Sequence, residues 1–239
     1  MKVRGERDCK DCGTRWSYYE TGSVECPSCG SLHSVGVEDS RELHTDDPGE
    51  LDLTAARDAV DAEPLRRVAE LAEEAARSYV RRRGFVRGGD LVELDDTYLL
   101  ARELRHVAAE VGRAMDVSDD EEWYFLELLR CADRDERPAP GEVPSSFRTL
   151  RGLAYGEAVR EYRGEMADWA DEYGADELGR DALETLGDHA RRVLALDGDV
   201  DPEAAERLAA AARDVAAYLR DDDEDALVSA RDRFERLAE

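Results

Sequence analysis

Apolar positions recur at helical spacing through most of the chain, but only after about residue 54. From Ala55 to about Arg83, Val60, Leu65, Val68, Leu71, Ala72, Ala75 and Tyr79 return at steps of three and four, as one buried helix face requires. Pro64 divides this stretch or marks a first turn, Arg83-Gly84 ends it, and Gly88-Gly89 turns the chain again. Asp95 or Asp96 opens a second helix carrying Tyr98, Leu99, Ala101, Leu104, Val107, Ala108 and Val111. Ser118-Asp-Asp-Glu121 is a capping box ahead of Trp123, Phe125, Leu126, Leu128 and Leu129. Residues 135–146, with Pro138, Pro140, Gly141 and Pro144, read as a loop, and Ser145 or Ser146 then caps a long helix to about Tyr173. Further helices are predicted over Asp176–Leu196, from Pro202 to about Leu219, and over Ala226–Leu237.

That is six or seven helices and no convincing strand after residue 37, which predicts an antiparallel bundle or an array of αα-hairpins. No fixed-length repeat is present, which argues against a solenoid. Gly152, Gly156 and Gly164 on the long helix allow a neighbouring backbone to come close, each weakening that helix by about 1 kcal/mol relative to alanine.

The first 37 residues follow a different rule. Val3 to Arg7, Trp16-Ser17-Tyr18-Tyr19 and Leu32 to Val37 are short runs of strand formers, and Thr21-Gly22-Ser23 reads as a return turn. Residues 38–54 are polar, contain Asp-Asp-Pro-Gly and read as a linker, with Thr54 placed to cap the next helix. The expected fold is therefore mostly α: a small β unit at 1–37, a linker at 38–54 and an all-α bundle at 55–239.

The β unit is too small to bury enough apolar surface to fold unaided, but it holds four of the five cysteines, as Cys9-Lys-Asp-Cys12-Gly13 and Cys26-Pro-Ser-Cys29-Gly30. Two C-x-x-C pairs at this separation match a tetrahedral metal site, each pair aiming two sulfurs from one tight turn. Glycine after each second cysteine suits the positive φ of such a turn, and Pro27 stiffens the second one. The prediction is a zinc ribbon with rubredoxin-like knuckles, holding one Zn(2+) per chain through Cys9, Cys12, Cys26 and Cys29, and unfolded without metal. Iron held by four thiolates is the open alternative. Two disulfides need an oxidising compartment, and a thioredoxin-type pair needs a βαβ context that is absent here. Cys131, in an apolar helical stripe, reads as a buried small hydrophobe, and His33 as a surface residue.

Composition narrows the setting. No run of eighteen apolar residues occurs, and Met-Lys-Val-Arg-Gly-Glu lacks the apolar stretch of a secretory signal, so a cytoplasmic protein without a membrane span is expected. The formal net charge is −26, with 59 acids against 33 bases; Lys2 and Lys10 are the only lysines, and Ile, Asn and Gln do not occur. The acids interleave with Ala, Leu and Val at helical spacing, so they coat a folded body rather than mark disorder. At molar salt the Debye length falls to about 3 Å and such a surface repels itself little, which points to a halophilic archaeon.

Against this background two local exceptions stand out. Residues 1–36 carry five bases and five acids, so the β unit is near neutral and the whole excess lies beyond it. Its aromatics Trp16, Tyr18 and Tyr19, with Arg4, Arg7 and Arg15, are candidate partner contacts. Arg77, Arg81, Arg82, Arg83 and Arg87 then fall within eleven residues containing no acid, followed by Arg105, His106 and Arg113. They are candidates for phosphate or acidic-protein contact, or they offset a helix C-terminus and pair with nearby acids. Glu103-Leu-Arg-His106 is half of a di-iron carboxylate signature whose second half is missing, since Leu186 stands three residues before His189. Asp221-Asp-Asp-Glu-Asp225 reads as a solvated interhelix loop.

The two cysteine knuckles resemble the N-terminal zinc ribbon of transcription factor IIB. The longer string Arg4-Gly-Glu-Arg-Asp-Cys9 through Trp16-Ser-Tyr-Tyr-Glu-Thr-Gly22 is similar to a haloarchaeal family of transcription factor IIB-type zinc-ribbon proteins of uncharacterised function. The resemblance implies the four zinc ligands and a ribbon that docks on RNA polymerase or another large assembly. The cyclin-like repeats that follow the ribbon in the general factor have no counterpart here. The expected role is a non-enzymatic adaptor or regulator acting in transcription or RNA processing through a protein partner, with nucleic acid a further candidate. The alternatives are a structural protein whose bundle is the active surface, with the ribbon a stabilising cap, and a carboxylate-based metalloenzyme.

Overall fold

The computed structural model describes residues 1–47, 49–134 and 136–238. It has the expected class, a short-stranded N-terminal unit on a mostly α body. The N-terminal unit comprises β1 (Lys2–Val3), β2 (Glu6–Cys9), β3 (Arg15–Ser17), α1 (Tyr18–Thr21) and β4 (Ser34–Gly36). Strand β2 is central and antiparallel to both neighbours, pairing Arg7 with Trp16 of β3 and Asp8 with Val35 of β4. The predicted strand at residues 16–19 stops at Ser17. Tyr18 donates its amide to Gly5 O at 2.7 Å, and Tyr18–Thr21 closes as one helical turn ended by Gly22 at φ 62°.

The segment read as a linker is built into the fold. Residues Glu42–Leu43 form β5, antiparallel to β1, and His44 and Asp46 just beyond it are buried. Two further strands, β6 (Val86–Arg87) and β7 (Asp90–Leu91), make a hairpin whose turn is Gly88-Gly89, both at positive φ. Each of these strands is two residues long, too short to show a period-2 pattern in the sequence.

The body contains α2 (Thr54–Ala59), α3 (Leu65–Arg82), α4 (Asp96–Arg113), α5 (Asp119–Cys131), α6 (Arg148–Tyr173), α7 (Glu177–Ala195), α8 (Pro202–Asp221) and α9 (Glu224–Ala238). Pro64 thus separates two helices, α2 and α3. Asp95 caps α4 by accepting the Tyr98 amide at 2.7 Å, and the capping box at Ser118 and Glu121 is complete. The expected caps at Thr54 and Ser145 or Ser146 differ: Leu53 precedes α2, while a 3-10 turn over Ser145–Phe147 leads into α6. Among the described residues no helix is long and apolar enough to cross a membrane.

Two apolar cores share α4. Leu100, Leu104, Val107, Ala108 and Val111 face α3 and α5, whereas Tyr98, Leu99 and Ala101 join the core of α6 to α9. Between the cores lies a buried ion pair. Arg151 and Glu103 are both fully buried, and Arg151 Nε donates to both carboxylate oxygens at 3.0 and 3.1 Å. Arg151 also donates to Tyr124 Oη at 3.0 Å and Pro138 O at 2.8 Å, and pairs with Glu206 at 3.5 Å.

Candidate functional site

The two knuckles have the same hydrogen-bond wiring. In the first, Cys9 N donates to Thr14 O at 2.9 Å and Gly13 N to Cys9 O at 3.0 Å; in the second, Cys26 N donates to Ser31 O at 2.9 Å and Gly30 N to Cys26 O at 2.9 Å. Gly13 at φ 75° and Gly30 at φ 71° turn the chain back just past each second cysteine, which brings Thr14 O to Cys9 N and Ser31 O to Cys26 N. Cys9 and Cys26 are buried with Trp16 as the small core of this unit, and Cys12 and Cys29 lie at its surface.

The four sulfurs all lie within 4.8 Å of one another, with Cys9 to Cys29 at 3.7 Å and Cys12 to Cys26 at 3.6 Å. A tetrahedral ion with bonds of about 2.3 Å requires sulfur–sulfur edges of about 3.8 Å, so the cluster has the size of a tetrathiolate metal site. The thiols respond to this crowding. The Thr14 hydroxyl and amide push Cys12 down to about 6. The Ser31 amide favours the Cys29 thiolate, yet the neighbouring thiols of Cys12, Cys26 and Cys9 outweigh it and push Cys29 up to about 12. A cation relieves this competition by taking all four as thiolates. His33 is exposed and turned toward Asp11 at 3.6 Å, outside the cluster. Among the described residues this is the one group of His, Cys, Asp or Glu side chains arranged to hold an ion.

The aromatic residues expected at a partner surface divide. Trp16 is 7% exposed, and its Nε1 donates to Ser23 O at 3.0 Å, so the ring is committed to the ribbon core. Tyr19 joins ribbon to body. Its ring packs 4.9 Å from His44, its hydroxyl donates to Val3 O at 3.1 Å, and it lies against Gly5 and Gly88, where a Cβ would overlap the ring. Around it, Lys2 pairs with Glu172 at 2.6 Å, Leu43 N donates to Tyr173 Oη at 3.2 Å, and Trp169 Nε1 donates to Gly89 O at 2.8 Å.

Tyr18 is half-buried and lines a cleft of about 390 Å³ at the ribbon edge, together with Lys2, Arg4, Arg7 and Arg41. Arg4 is exposed, Arg7 is held by Ser34 at 2.9 Å, and Arg15 is exposed beside Asp8 at 3.3 Å. Among the described residues no carboxylate lines this cleft.

The arginine cluster of the body also divides. Arg83 and Arg87 clamp the fully buried side chain of Asp46, at 2.7 and 2.5 Å, and Arg83 pairs with Asp95 at 2.9 Å. Burial alone would raise the Asp46 carboxyl, but hydrogen bonds from Arg87 and Arg83 reverse this and hold it below the usual range. Arg77 pairs with Glu73 one turn away, and Arg82 lies over Gly49. Three of the five are therefore spent on internal acids. Arg81 joins Arg102, Arg105 and Arg160 in a groove between α3, α4 and α6 that linear clustering did not outline. Glu103 and His106 do not converge: Glu103 is buried against Arg151, and His106 contacts Glu157 at 3.1 Å.

Across residues 1–234 the chain matches the model of a family of unknown function, DUF7117, and it belongs to that family. No curated protein and no solved structure matches it.

Proposed function

We propose that this member of the DUF7117 family is a non-enzymatic adaptor whose ribbon, held by one zinc ion on Cys9, Cys12, Cys26 and Cys29, receives an anionic segment of a protein partner. The observation that carries this reading is the ribbon-edge cleft. In a chain of net charge −26 it is lined by Arg4, Arg7 and Arg41, with Lys2 (itself paired with Glu172) and Tyr18 beside them and no carboxylate among the described residues. Leu32 is 69% exposed, and Val35 and Val37 are each 41% exposed, which adds apolar surface to the same small unit. Cationic and apolar groups presented together on a metal-stiffened scaffold suit protein docking. The likeness of the knuckles to the ribbon of transcription factor IIB favours a transcription or RNA-processing assembly as the source of that partner, and the acidic composition favours a high-salt cytoplasm.

The metal orders the cleft rather than reacting. A tetrathiolate site has no open position for substrate, and β2 and β4, which carry Arg7 and Gly36 of the cleft, pair at the first knuckle through Cys9 and Ser34. The test is nuclease-treated affinity purification with quantitative mass spectrometry and metal analysis. We expect one zinc per chain and a protein partner that is lost from both Cys12→Ser and the Arg4→Glu/Arg41→Glu double variant. A partner retained by both variants would overturn the docking role, and iron in place of zinc would overturn the assignment of the ion.

A further inference from the structure

Two grooves flank α6 on the body, and they share Arg160. The first, of about 720 Å³, lies between α3, α4 and α6 and is lined by Arg77, Arg81, Arg102, Arg105 and Arg160 against three carboxylates. The second, of about 600 Å³, lies between α6 and α7 and adds Arg163, Arg180 and Arg191 against two carboxylates. Arginines outnumber acids on this face by eight to five, in a chain where acids outnumber bases by 59 to 33.

The arginines here are of two kinds. Arg102 is held in place: its side chain is 8% exposed, and it donates to Tyr98 Oη at 2.7 Å and to Glu157 at 3.3 Å, with Glu161 alongside. Arg77 pairs with Glu73, Arg191 with Asp188, and Arg163 Nε donates to Leu183 O at 3.1 Å, so these three are engaged as well. Arg81, Arg105 and Arg160 make no ion pair within 4.0 Å among the described residues. For Arg81 and Arg105 the reason is visible in the sequence, since neither has an acid three or four positions away on its helix. Of the opposing acids, Glu165 is turned inward, accepting the Phe85 amide at 2.6 Å and the Thr45 hydroxyl at 2.5 Å.

The groove floor is also unusual. A Cβ at Gly164 of α6 would meet nothing within 4 Å, so packing does not require glycine there. Glycine in a helix interior costs about 1 kcal/mol relative to alanine, and here it leaves backbone open beside Arg160. The two grooves meet at Arg160 and together run from α3 and α4 across α6 to α7. That span suits an extended ligand with repeated anionic groups. Among the described residues no aromatic side chain lines either groove, so a base has no ring to stack on.

We propose that this two-groove face binds the phosphate backbone of a nucleic acid without reading its bases. The guanidinium groups of Arg81, Arg105 and Arg160, with no ion pair within 4.0 Å among the described residues, are placed to make bidentate contacts to phosphate oxygens. The net charge of the chain offers no general attraction, so the contacts must be local. The site does not depend on the ribbon cleft or on its partner.

The experiment titrates the full-length, zinc-loaded chain into a fluorescein-labelled 20-nucleotide RNA, followed by anisotropy across a KCl series. We expect the same affinity for uridine-only and mixed sequences, and a log–log salt slope of about −0.7 per phosphate engaged on a single strand. Arg105→Gln/Arg160→Gln removes two guanidiniums without breaking an ion pair; it should weaken binding about ten-fold and make the slope shallower by one to two units. Arg66→Gln/Arg130→Gln, outside both grooves, should bind as wild type. Absence of wild-type binding at the lowest salt, or unchanged affinity in the groove variant, would overturn the proposal. Loss in Arg4→Glu/Arg41→Glu instead would place the nucleic acid on the ribbon, and full competition by inorganic triphosphate at the affinity of the RNA would make the ligand a small polyphosphate; either result also overturns it.

Discussion

Arg151→Met tests the buried pair that joins the two cores. The wild-type guanidinium satisfies both oxygens of Glu103, Tyr124 Oη and Pro138 O, and it reaches Glu206. Methionine fills much of the same volume and makes none of these contacts. Glu103 then keeps only the Tyr124 hydroxyl, at 2.5 Å, while its carboxylate stays fully buried. Removing one partner of a buried ion pair costs about 3–5 kcal/mol, because the remaining charge loses its counter-charge without regaining water. Against a total stability of about 5–15 kcal/mol, this is a large fraction. At about 2–4 °C per kcal/mol for a chain of this size, the midpoint should fall by roughly 10 °C. Glu103→Leu/Arg151→Met removes both charges and should recover most of the loss, since apolar replacements of buried pairs are often neutral or better. The assay is urea unfolding at pH 7.5 of the zinc-loaded wild type, both single variants and the double, read as a double-mutant cycle. A single-variant cost below about 1 kcal/mol, or a coupling energy near zero, would refute the claim that the pair is mutually dependent.

Three further outcomes follow from the same coordinates. Chelating the metal should abolish the near-ultraviolet signal of Trp16 while leaving the far-ultraviolet helical signal of the body, and titration of the released ion should give one equivalent. Gly152→Ala should destabilise by about 2 kcal/mol, because its Cβ would overlap Gly198 O; Gly164→Ala, with open space around it, should stabilise by up to about 1 kcal/mol, both read by thermal melts. His44 is held below its ordinary 6.5, first by burial, then by Arg87 and the N-terminal amine, with Asp46 and Asp47 opposing; its Nδ1 accepts the Gly88 amide at 3.2 Å. A lowered folded-state pKa means stability that is present above about 6.5 and declines as pH falls below it. The drop in melting temperature between pH 7.5 and 5.5 should therefore be smaller in His44→Phe, and an equal drop would show that His44 does not report on the seam.

How far the chain could be read depended on the range of the physics involved. The knuckles were legible because their chemistry is local: two sulfurs per tight turn, and a glycine where φ must be positive. The helices were legible because a buried face repeats every three to four residues and because Asp95 and Ser118 cap through their own side chains. Strands β5 to β7 were not, since two residues carry no period; β5 also pairs with β1, about forty residues away, while β6 and β7 pair with each other across Gly88-Gly89.

The same division applies to the candidate sites. The sequence alone indicated a four-cysteine cluster on a helical body, an acidic chain with a near-neutral β unit, and arginines in unusual company. Only the tertiary structure decided which of those groups remain available. Burial took Trp16 into the ribbon core and Tyr19 into the seam, and Asp46 took up Arg83 and Arg87. Packing α6 beside α3, α4 and α7 then brought together Arg81, Arg105 and Arg160, which lie up to 79 positions apart in the chain. Whether a guanidinium is spent or free depends on what lies across from it, and that is set by how helices pack rather than by the order of residues along them.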